Sequence, residues 1–196
     1  MEFDYVNDIQ KAFRKVLDCN ARPGKIHSLK EECSKLELPL KINKATLLLM
    51  LMLLDNEVTF HVAGNNAQEV AAYMHKLTYG GVTSLEEADF VFVLEDAARD
   101  RLPFLMERCR RGSLLDPHLS TTVIVEVPGL TGKKNLLLKG PGIKEEIYLS
   151  VGINDSWVEK RDEVNKEYPL GIDIYFLDGA FNVTAIPRTT SISKMR

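Results

Sequence analysis

The segment from Tyr168 to Thr190 ends in one cationic side chain followed by two hydroxyl side chains, a set that can bind an anion. The guanidinium of Arg188 can donate two parallel hydrogen bonds to a phosphate or carboxylate, and Thr189 and Thr190 can add hydroxyl donors. Arg188 could instead neutralise Asp173, a carboxylate within an apolar strand that would be costly to bury without a partner. The residue types favour this internal ion pair, and an anion site at Arg188 stays as the alternative interpretation.

Whether Asp173 and Arg188 can meet depends on the loop of the hairpin that carries them. Side chains alternate along a strand, so the number of loop residues decides which residues of the two strands share a face. A loop of "DG" or "DGAF" would put both side chains on the same side of the sheet. A three-residue loop would put them on opposite faces, so the ion pair is also a prediction about register.

Two glycine-rich segments could bring backbone N–H groups close to a ligand. "GLTGKK" (129–134) is shorter than a P-loop and is followed by a strand pattern rather than a helix, which favours a glycine turn with solvated lysines. "KGPGI" (139–143) places Gly140 and Gly142 around a proline. That arrangement suits close approach of a ligand, and it suits a type II turn at least as well.

Nucleophilic and metal chemistry find little support in the residue spacing. Cys19, Cys33 and Cys109 lie in no recognisable catalytic motif and are expected to be reduced, structural thiols. The four histidines lack the spacing of metal ligands, and His61, within a predicted strand, is expected to be structural. No metal site is therefore predicted.

The composition is that of an ordinary globular domain, with 45% hydrophobic and 27% charged residues among 196. A net charge of −3 gives no basic surface for nucleic acid. The strongest apolar run, residues 45–54, is about half of the ~20 residues that a membrane span needs. We therefore expect one cytoplasmic domain over residues 1–196, with neither nucleic acid nor membrane as a partner.

The first quarter of the sequence predicts two helices. Helical spacing predicts an amphipathic helix over residues ~5–19, and Asn43 is placed to cap a second helix over ~44–54 that is apolar on every side. The predicted inner face of the first helix consists of Val6, Ile9, Phe13, Val16 and Leu17.

The middle of the sequence alternates strands and helices. Strands are predicted over 58–63, 89–94 and 121–127, and the alternation favours parallel pairing through right-handed crossovers. The first intervening helix has an asparagine cap, a glycine stop and an inner face of Val70, Met74 and Leu77. The second, within 99–112, has Pro103 in its first turn and a buried stripe of Leu102, Leu105, Met106 and Cys109.

The last third changes pattern. It predicts a turn at 128–135, a short strand ending in the Gly-Pro-Gly bend, another strand over 145–150, and the C-terminal hairpin, with a mobile tail after it. A helix capped by Asp155 or Ser156 carries Trp157, Arg161, Val164 and Tyr168 along one side. Together these elements predict a three-layer α/β domain whose mixed sheet is parallel first and antiparallel at its end.

Four segments of the sequence form a recognisable set. They are "FRKVLDCNARPG" (13–24), "LLDNEVTF" (53–60), "LLKGPGIKEE" (137–146), and "YPLGID" with "AIPRTT" at the two ends of the hairpin segment. In order and spacing they resemble the PhnH family of the bacterial carbon–phosphorus lyase machinery. The resemblance covers most of the chain, although residues 65–120 match only in pattern.

The resemblance implies a subunit that works with PhnG, PhnI and PhnJ, without an established activity of its own. Those subunits together displace adenine from ATP and attach a phosphonate to the ribose, forming ribose 1-phosphonate 5-triphosphate. The resemblance also implies a fold similar to the large domain of pyridoxal-phosphate-dependent transferases, without that cofactor, and a homodimer in isolation.

The resemblance also singles out residues that match the family's motifs. Its glycines and prolines, including Pro23, Gly24, Gly171 and Pro187, are expected to shape turns. The candidates for contact with a ligand or partner are Arg14, Asp55, Asn56, Gly140, Gly142, Asp173, Arg188, Thr189 and Thr190. Two alternatives remain at this point: an independent enzyme on the same fold, and a stand-alone phosphate or phosphonate binder centred on Arg188.

Overall fold

The computed structural model describes residues 3–37, 40 and 42–195, apart from the side chain of Lys134. The helices are α1 (Asn7–Ala21), α2 (Lys30–Ser34), α3 (Lys44–Leu53), α4 (Ala67–Thr78), α5 (Glu95–Arg108) and α6 (Ser156–Val164). The strands are β1 (His27–Ser28), β2 (Thr59–Ala63), β3 (Gly81–Val82), β4 (Phe90–Val93), β5 (Thr122–Val127), β6 (Leu130–Lys139), β7 (Ile147–Val151), β8 (Asp173–Asp178), β9 (Asn182–Ile186) and β10 (Ser191–Lys194).

The main sheet has seven strands in the order β1-β9-β8-β5-β4-β2-β3. The strands from β8 to β3 in that order pair in parallel, whereas β9 pairs with β8, and β1 with β9, in antiparallel fashion. The predicted mixed α/β sheet is therefore confirmed. Its parallel part follows the strand–helix alternation, because a parallel connection needs a long crossover.

Helices cover both faces of this sheet, as predicted for a three-layer arrangement. Successive residues of β4 point to opposite faces: Val91 and Val93 belong to one hydrophobic cluster, and Phe92 belongs to the other. The first cluster includes α5, α6 and a smaller sheet, whereas the second includes α1, α3 and α4. Each strand of the parallel core thus contributes apolar side chains to two cores.

The smaller sheet corrects two predictions. Its order is β10-β6-β7, all antiparallel. The predicted turn at 128–135 is wrong, because most of it belongs to β6, which pairs with β7 and shifts register between Thr131 and Leu136. The predicted mobile tail is also wrong over Ser191–Lys194, since these residues form β10 against β6. Arg196 lies outside the described residues.

The predicted inner face of α1 is largely wrong. Val16 is buried, but Val6, Phe13 and Leu17 are 76%, 48% and 54% exposed. The helix instead buries Asp8, Ala12, Val16 and Cys19. Asp8 faces inwards because Lys35 donates to its Oδ1 at 2.7 Å, a long-range partner that helical spacing cannot reveal.

The predicted helix ends are correct at some positions and wrong at others. Asn43 caps α3 through its Oδ1, which accepts from the N–H of Ala45 at 2.9 Å. The predicted asparagine cap of α4 is wrong, because the side chain of Asn66 at the N-cap position forms no capping hydrogen bond. The last residue of α4 is followed by Tyr79 in a left-handed conformation rather than by glycine. Leu77, placed on the inner face by spacing, is exposed.

Two further helix predictions need correction. The side chains of Asp155 and Ser156 do not cap α6; Asn154 does, with its Oδ1 accepting from the N–H of Ser156 at 3.0 Å. Tyr168 lies beyond the end of α6 and is exposed. Helix α5 begins at Glu95, which places Pro103 inside the helix, although the predicted stripe over residues 102–109 is buried as expected.

In the described part of the chain, no helix combines the length and the apolar character required to cross a membrane.

Candidate functional site

The ion pair predicted between Asp173 and Arg188 is confirmed. The backbone N–H of Arg188 donates to Oδ1 of Asp173 at 2.7 Å, and its Nη2 donates to Oδ2 at 2.6 Å. Nε lies 3.3 and 3.2 Å from the two carboxylate oxygens. The side chain of Arg188 is only 16% exposed and that of Asp173 only 25%, so the pair is partly withdrawn from water.

The register that was expected to bring these residues together is wrong. Tyr175 pairs with Ala185 and Leu177 with Val183, so the hairpin loop has three residues rather than two or four. Asp173 and Arg188 meet nevertheless, because β9 ends at Ile186. Arg188 therefore lies beyond the alternation of the strand and can turn its backbone and side chain towards the start of β8.

Arg188 uses its remaining donors within the protein. Nη1 donates to the carbonyl oxygens of Pro169 at 3.1 Å and Pro117 at 3.3 Å, and Nη2 also donates to Oγ of Ser120. A guanidinium carries five N–H groups, and these contacts together with Asp173 engage all five. Arg188 thus fastens two segments, residues 117–120 and the segment of Pro169, to the end of the hairpin.

The two threonines after Arg188 differ in exposure. Thr189 is exposed, whereas Thr190 is 2% exposed and its Oγ1 has no hydrogen-bond partner among the described residues. The backbone N–H of Thr190 donates to the carbonyl of Pro187 at 2.9 Å, which makes the end of the segment a turn. This turn leads directly into β10.

A cavity of about 220 Å³ lies beside Asp173. It is lined by Val16, Asn20, Leu49, Leu53, Phe90, Thr122, Asp173 and Tyr175. Three of the four segments singled out in the sequence contribute to it: residues 13–24, residues 53–60 and the first strand of the hairpin. Segments more than a hundred residues apart in the chain thus form the walls of one small chamber.

The chamber, as we call this cavity, is polar on one side. Asp173 supplies an acceptor whose charge Arg188 compensates, and Asn20, Thr122 and Tyr175 supply an amide and two hydroxyl groups. None of these last three side chains hydrogen-bonds to another described residue. Burial raises the pKa of Tyr175 well above its usual range, so its hydroxyl stays protonated and can donate. The chamber can therefore bind a small polar group that both accepts and donates hydrogen bonds.

The Gly-Pro-Gly bend is held by packing, and its interpretation as a turn is confirmed. The N–H of Ile143 donates to the carbonyl of Gly140 at 3.1 Å. Gly142 has a φ of +84°, and a Cβ there would collide with the carbonyl oxygen of Ala21. A Cβ on Gly140 would lie 3.0 Å from the carbonyl oxygen of Thr189. The bend thus packs between the end of α1 and the end of the hairpin.

A second, open cavity of about 450 Å³ adjoins this bend. Pro23 and Gly142, from two different motif segments, lie in its wall. Arg22, Lys25 and Lys144 bring positive charge, and Glu145 and Glu146 bring negative charge. The mixed charge shows no preference for an anion.

The remaining candidates lie apart from both cavities. Arg14, Asp55 and Asn56 are exposed and line neither of them. Asp55 accepts a hydrogen bond from the N–H of Glu57 at 2.9 Å, which fixes the turn between α3 and β2.

The cysteines provide no reactive thiol, and the described residues of metal-binding types form no metal site. Cys19, Cys33 and Cys109 are buried, and burial raises the pKa of each thiol to about 12, so all three stay protonated at neutral pH. No group of three or more histidine, cysteine, aspartate or glutamate side chains in the described ranges could hold a metal ion. Lys194, in the Ser-x-x-Lys of the tail, is paired with Glu159 at 2.5 Å.

Sequence reasoning missed three polar residues of the chamber, namely Asn20, Thr122 and Tyr175. Tyr175 shares a strand face with Asp173, which was a usable signal. Asn20 and Thr122 belong to other elements, and neither their types nor their spacing marks them. Their roles follow only from the packing of α1 against the sheet.

Comparison with known proteins gives concordant results. The family model for "Bacterial phosphonate metabolism protein (PhnH)" matches residues 3–193. The putative C-P lyase subunit protein HtxG of Stutzerimonas stutzeri is 31% identical over 190 residues, which cover 94% of this chain and 85% of the relative. The alpha-D-ribose 1-methylphosphonate 5-triphosphate synthase subunit PhnH of Rhizobium meliloti (strain 1021) is 30% identical over 194 residues, covering 97% and 93%.

The family model matches nearly the whole chain, and three of the four motif segments line the chamber. These two findings agree and establish the family. The chain belongs to the PhnH family of bacterial phosphonate metabolism proteins.

Proposed function

We propose that the chain is a subunit of a carbon–phosphorus lyase assembly and acts where a phosphonate is coupled to the ribose of ATP with loss of adenine. The observation that carries this proposal is the family match over residues 3–193, together with two relatives whose names describe lyase or synthase subunits. Its partners are homologues of PhnG, PhnI and PhnJ, and it works in the cytosol.

The surface of α1 supports a role in an assembly. Val6, Phe13 and Leu17 follow one another at spacings of seven and four residues, and all three are exposed. We call these residues the α1 stripe. Apolar side chains grouped on one helix face are typical of protein contact sites. A partner subunit of the lyase is the occupant that we propose for the α1 stripe.

The chamber is the proposed functional site of the subunit. Asp173 and Tyr175 lie in its wall, and Arg188 holds Asp173 in place through three donor groups. Arg188 is thus a positioning residue in this proposal rather than a group that meets the ligand. The alternative of a phosphate binder centred on Arg188 gains no support, since its N–H groups already have protein partners.

Two further parts of the proposal concern fold and self-association. The layered sheet with helices on both faces is compatible with similarity to the large domain of pyridoxal-phosphate-dependent transferases, and the subunit is proposed to work without that cofactor. In the absence of its partners the chain is proposed to form a homodimer, which sedimentation equilibrium of the isolated protein can measure.

Co-expression tests the proposal. A tagged chain is produced together with homologues of PhnG, PhnI and PhnJ, and the complex is isolated by affinity and size-exclusion chromatography. We expect the four chains to elute together, and adenine release from ATP in the presence of methylphosphonate to depend on this chain. Separate elution, or full adenine release without the chain, would contradict the proposal.

A further inference from the structure

A separate crevice lies where β2 and β4 end. These strands are neighbours in the parallel sheet, but β2 leads through α4 to β3 on one side, whereas β4 leads through α5 to β5 on the other. Helices α4 and α5 consequently lie on opposite faces. In open α/β sheets, ligands bind at such a switch point, outside the carboxyl ends of the strands.

The crevice has the size of a small-molecule site. Its volume is about 590 Å³, within the roughly 300–1,000 Å³ usual for ligand pockets. The loop after β2 is tied to the first turn of α5, since the N–H of Asn65 donates to Oδ2 of Asp96 at 2.9 Å. The lining consists of Ile42, Asn65, Asn66, Leu94, Glu95, Asp96, Arg99 and Glu126.

Glu126 is the most buried acid of this lining. Only 8% of the residue is exposed, and its carboxylate accepts from Oγ1 of Thr46 at 2.6 Å and from the N–H of Glu95 at 3.3 Å. Burial raises the pKa of this carboxyl, against the opposing effect of hydrogen bonds from Thr46 and from the backbone of Glu95 and Asn43, which favour the charged form. Each carboxylate oxygen has two acceptor positions, so Glu126 can still accept from a ligand that donates.

The charge of the crevice selects against phosphates. Among the lining residues that the structure describes, Glu95, Asp96 and Glu126 face one cation, Arg99, which already forms an ion pair with Glu95. A bound phosphate would meet more carboxylate than cationic charge, whereas hydroxyl or amino groups would find several acceptors. A ligand rich in hydrogen-bond donors and without negative charge therefore fits best.

The remaining wall suits a flat heterocycle. The side-chain amides of Asn65 and Asn66 can each donate and accept, as the edge of a nucleobase requires, and neither bonds to another described residue. Ile42 and Leu94 supply apolar surface beside them. The two neighbouring hydroxyls of a pentose can donate hydrogen bonds to carboxylates of the lining, such as those of Asp96 and Glu126.

We propose that this crevice binds a ribonucleoside, with the ribose hydroxyls donating to the carboxylates and the base lying against Asn65, Asn66 and Leu94. The acidic lining disfavours phosphorylated forms. The proposal rests on the crevice alone and is independent of the assignment to the lyase assembly.

Calorimetry on the full chain tests the proposal, with adenosine, 2′-deoxyadenosine and AMP as probes. We expect adenosine to bind about 5-fold more tightly than 2′-deoxyadenosine, the usual effect of one lost hydrogen bond, and about 10-fold more tightly than AMP. No heat from adenosine at millimolar concentration, or equal affinity for AMP, would overturn it.

A variant isolates the role of charge. Asp96→Asn keeps an acceptor for the N–H of Asn65 but removes one negative charge, so the preference for adenosine over AMP should fall by about 3-fold or more. Asp100→Asn, an exposed acid of the same helix outside the crevice, should leave the preference unchanged. An equal fall in the preference for adenosine over AMP in both variants would refute a site in the crevice. Co-purification with lyase subunits tests the proposed function separately and does not depend on this result.

Discussion

Arg188 directs its backbone N–H, its Nε and its Nη2 at the single carboxylate of Asp173, although strand alternation places the two residues on opposite faces of the hairpin. The contact forms only because the chain leaves β9 two residues before Arg188. The end of the hairpin, rather than its register, therefore brings the guanidinium and the carboxylate together.

Replacing Arg188 should destabilise the protein strongly. Arg188→Ala leaves Asp173 partly buried without its partner and removes donors from Pro117, Pro169 and Ser120. Loss of one member of a buried pair costs about 3–5 kcal/mol, and the partial exposure here lowers the expected loss to about 2 kcal/mol. Urea unfolding followed by circular dichroism measures this loss in the free energy of unfolding.

Arg14→Ala, the control at an exposed position of α1, should change the free energy of unfolding by about 0.5 kcal/mol or less. Equal effects of the two substitutions would show that the network around Arg188 contributes nothing.

Two glycines provide a matched pair for the packing of the Gly-Pro-Gly bend. Gly142→Ala should cost about 2 kcal/mol or more, because alanine is strained at a φ of +84° and its Cβ meets the carbonyl of Ala21. Gly179→Ala, where a Cβ would have no neighbour within 4 Å, should change stability by only about 0.5 kcal/mol. Thermal unfolding of both variants tests the difference, and a stable Gly142→Ala protein would show that the bend can move away from α1.

The thiols should be inert in the folded protein. Burial raises the pKa of Cys19, Cys33 and Cys109 to about 12 and also blocks reagents. At pH 8 we expect iodoacetamide to modify none of them within an hour, and all three after unfolding in urea, as intact mass measures. Rapid modification of one thiol in the native protein would reveal an opening of its core.

Acid should weaken the contact between α1 and β1. Lys25 and His27 donate to Asp18 at 2.8 and 2.6 Å and hold the pKa of this carboxyl at about 2, below its ordinary value of 3.8. The unfolded chain takes up this proton first as the pH falls, so the stabilisation is present above pH 3.8 and is lost towards pH 2.

The corresponding experiment compares wild type with Asp18→Asn. Urea midpoints at pH 5 and at about pH 2.5 should show a stability difference that shrinks with acid, since the amide cannot be protonated in this range. Asp100→Asn serves as the control and should show no such convergence. A difference that grows with acid would mean that Asp18 does not stabilise the fold.

The α1 stripe should matter for assembly and not for folding. Leu17→Ser changes a half-exposed position, so the free energy of unfolding should fall by about 0.5 kcal/mol or less. Recovery of the chain with its lyase partners should drop several-fold, as pull-down with quantitative mass spectrometry measures. Lys11→Ser, at an exposed polar position of the same helix, should be recovered like wild type. Undiminished recovery of Leu17→Ser would place the partner contact elsewhere.

The parallel core could be predicted from the sequence because its determinants are local. Residues 90–93 are a continuous apolar run, residues 122–127 are apolar apart from Thr122 and Glu126, and the helix between them carries a regular stripe. The stripe ending at Cys109 was found even though the start of its helix was misplaced by four residues. Burial of such runs on both faces leaves few alternatives to a covered parallel sheet.

The hairpin register could not be predicted, since "DGAF" permits loops of different length. The structure selects three residues because Oδ1 of Asp178 accepts from the N–H groups of Ala180 and Asn182, both at 2.9 Å, while Phe181 adopts a φ of +63°. A bulky residue in this conformation is uncommon, and a local pattern gives no warning of it.

The chamber and the face of α1 depend on long-range packing. Asp8 is buried through Lys35, and Asn20 and Thr122 meet only when α1 lies against the sheet. Motif resemblance indicated Asp173 and Arg188, but it could not distinguish a residue that lines a cavity from one that holds its neighbour in place.

The attachment of the N-terminal region to the C-terminal hairpin constrains how the polypeptide acquires its shape. Cys19 donates to the carbonyl of Val183, 164 residues later, and the N–H of Gly24 donates to Ala185. Loops of that length close at an entropic cost, so the part of the α1 docking surface that β9 supplies is available only after the last hairpin has formed. A shortened polypeptide that stops before the hairpin would leave its first helix held by α2 and α3 but not by β9, with the thiol of Cys19 deprived of its acceptor.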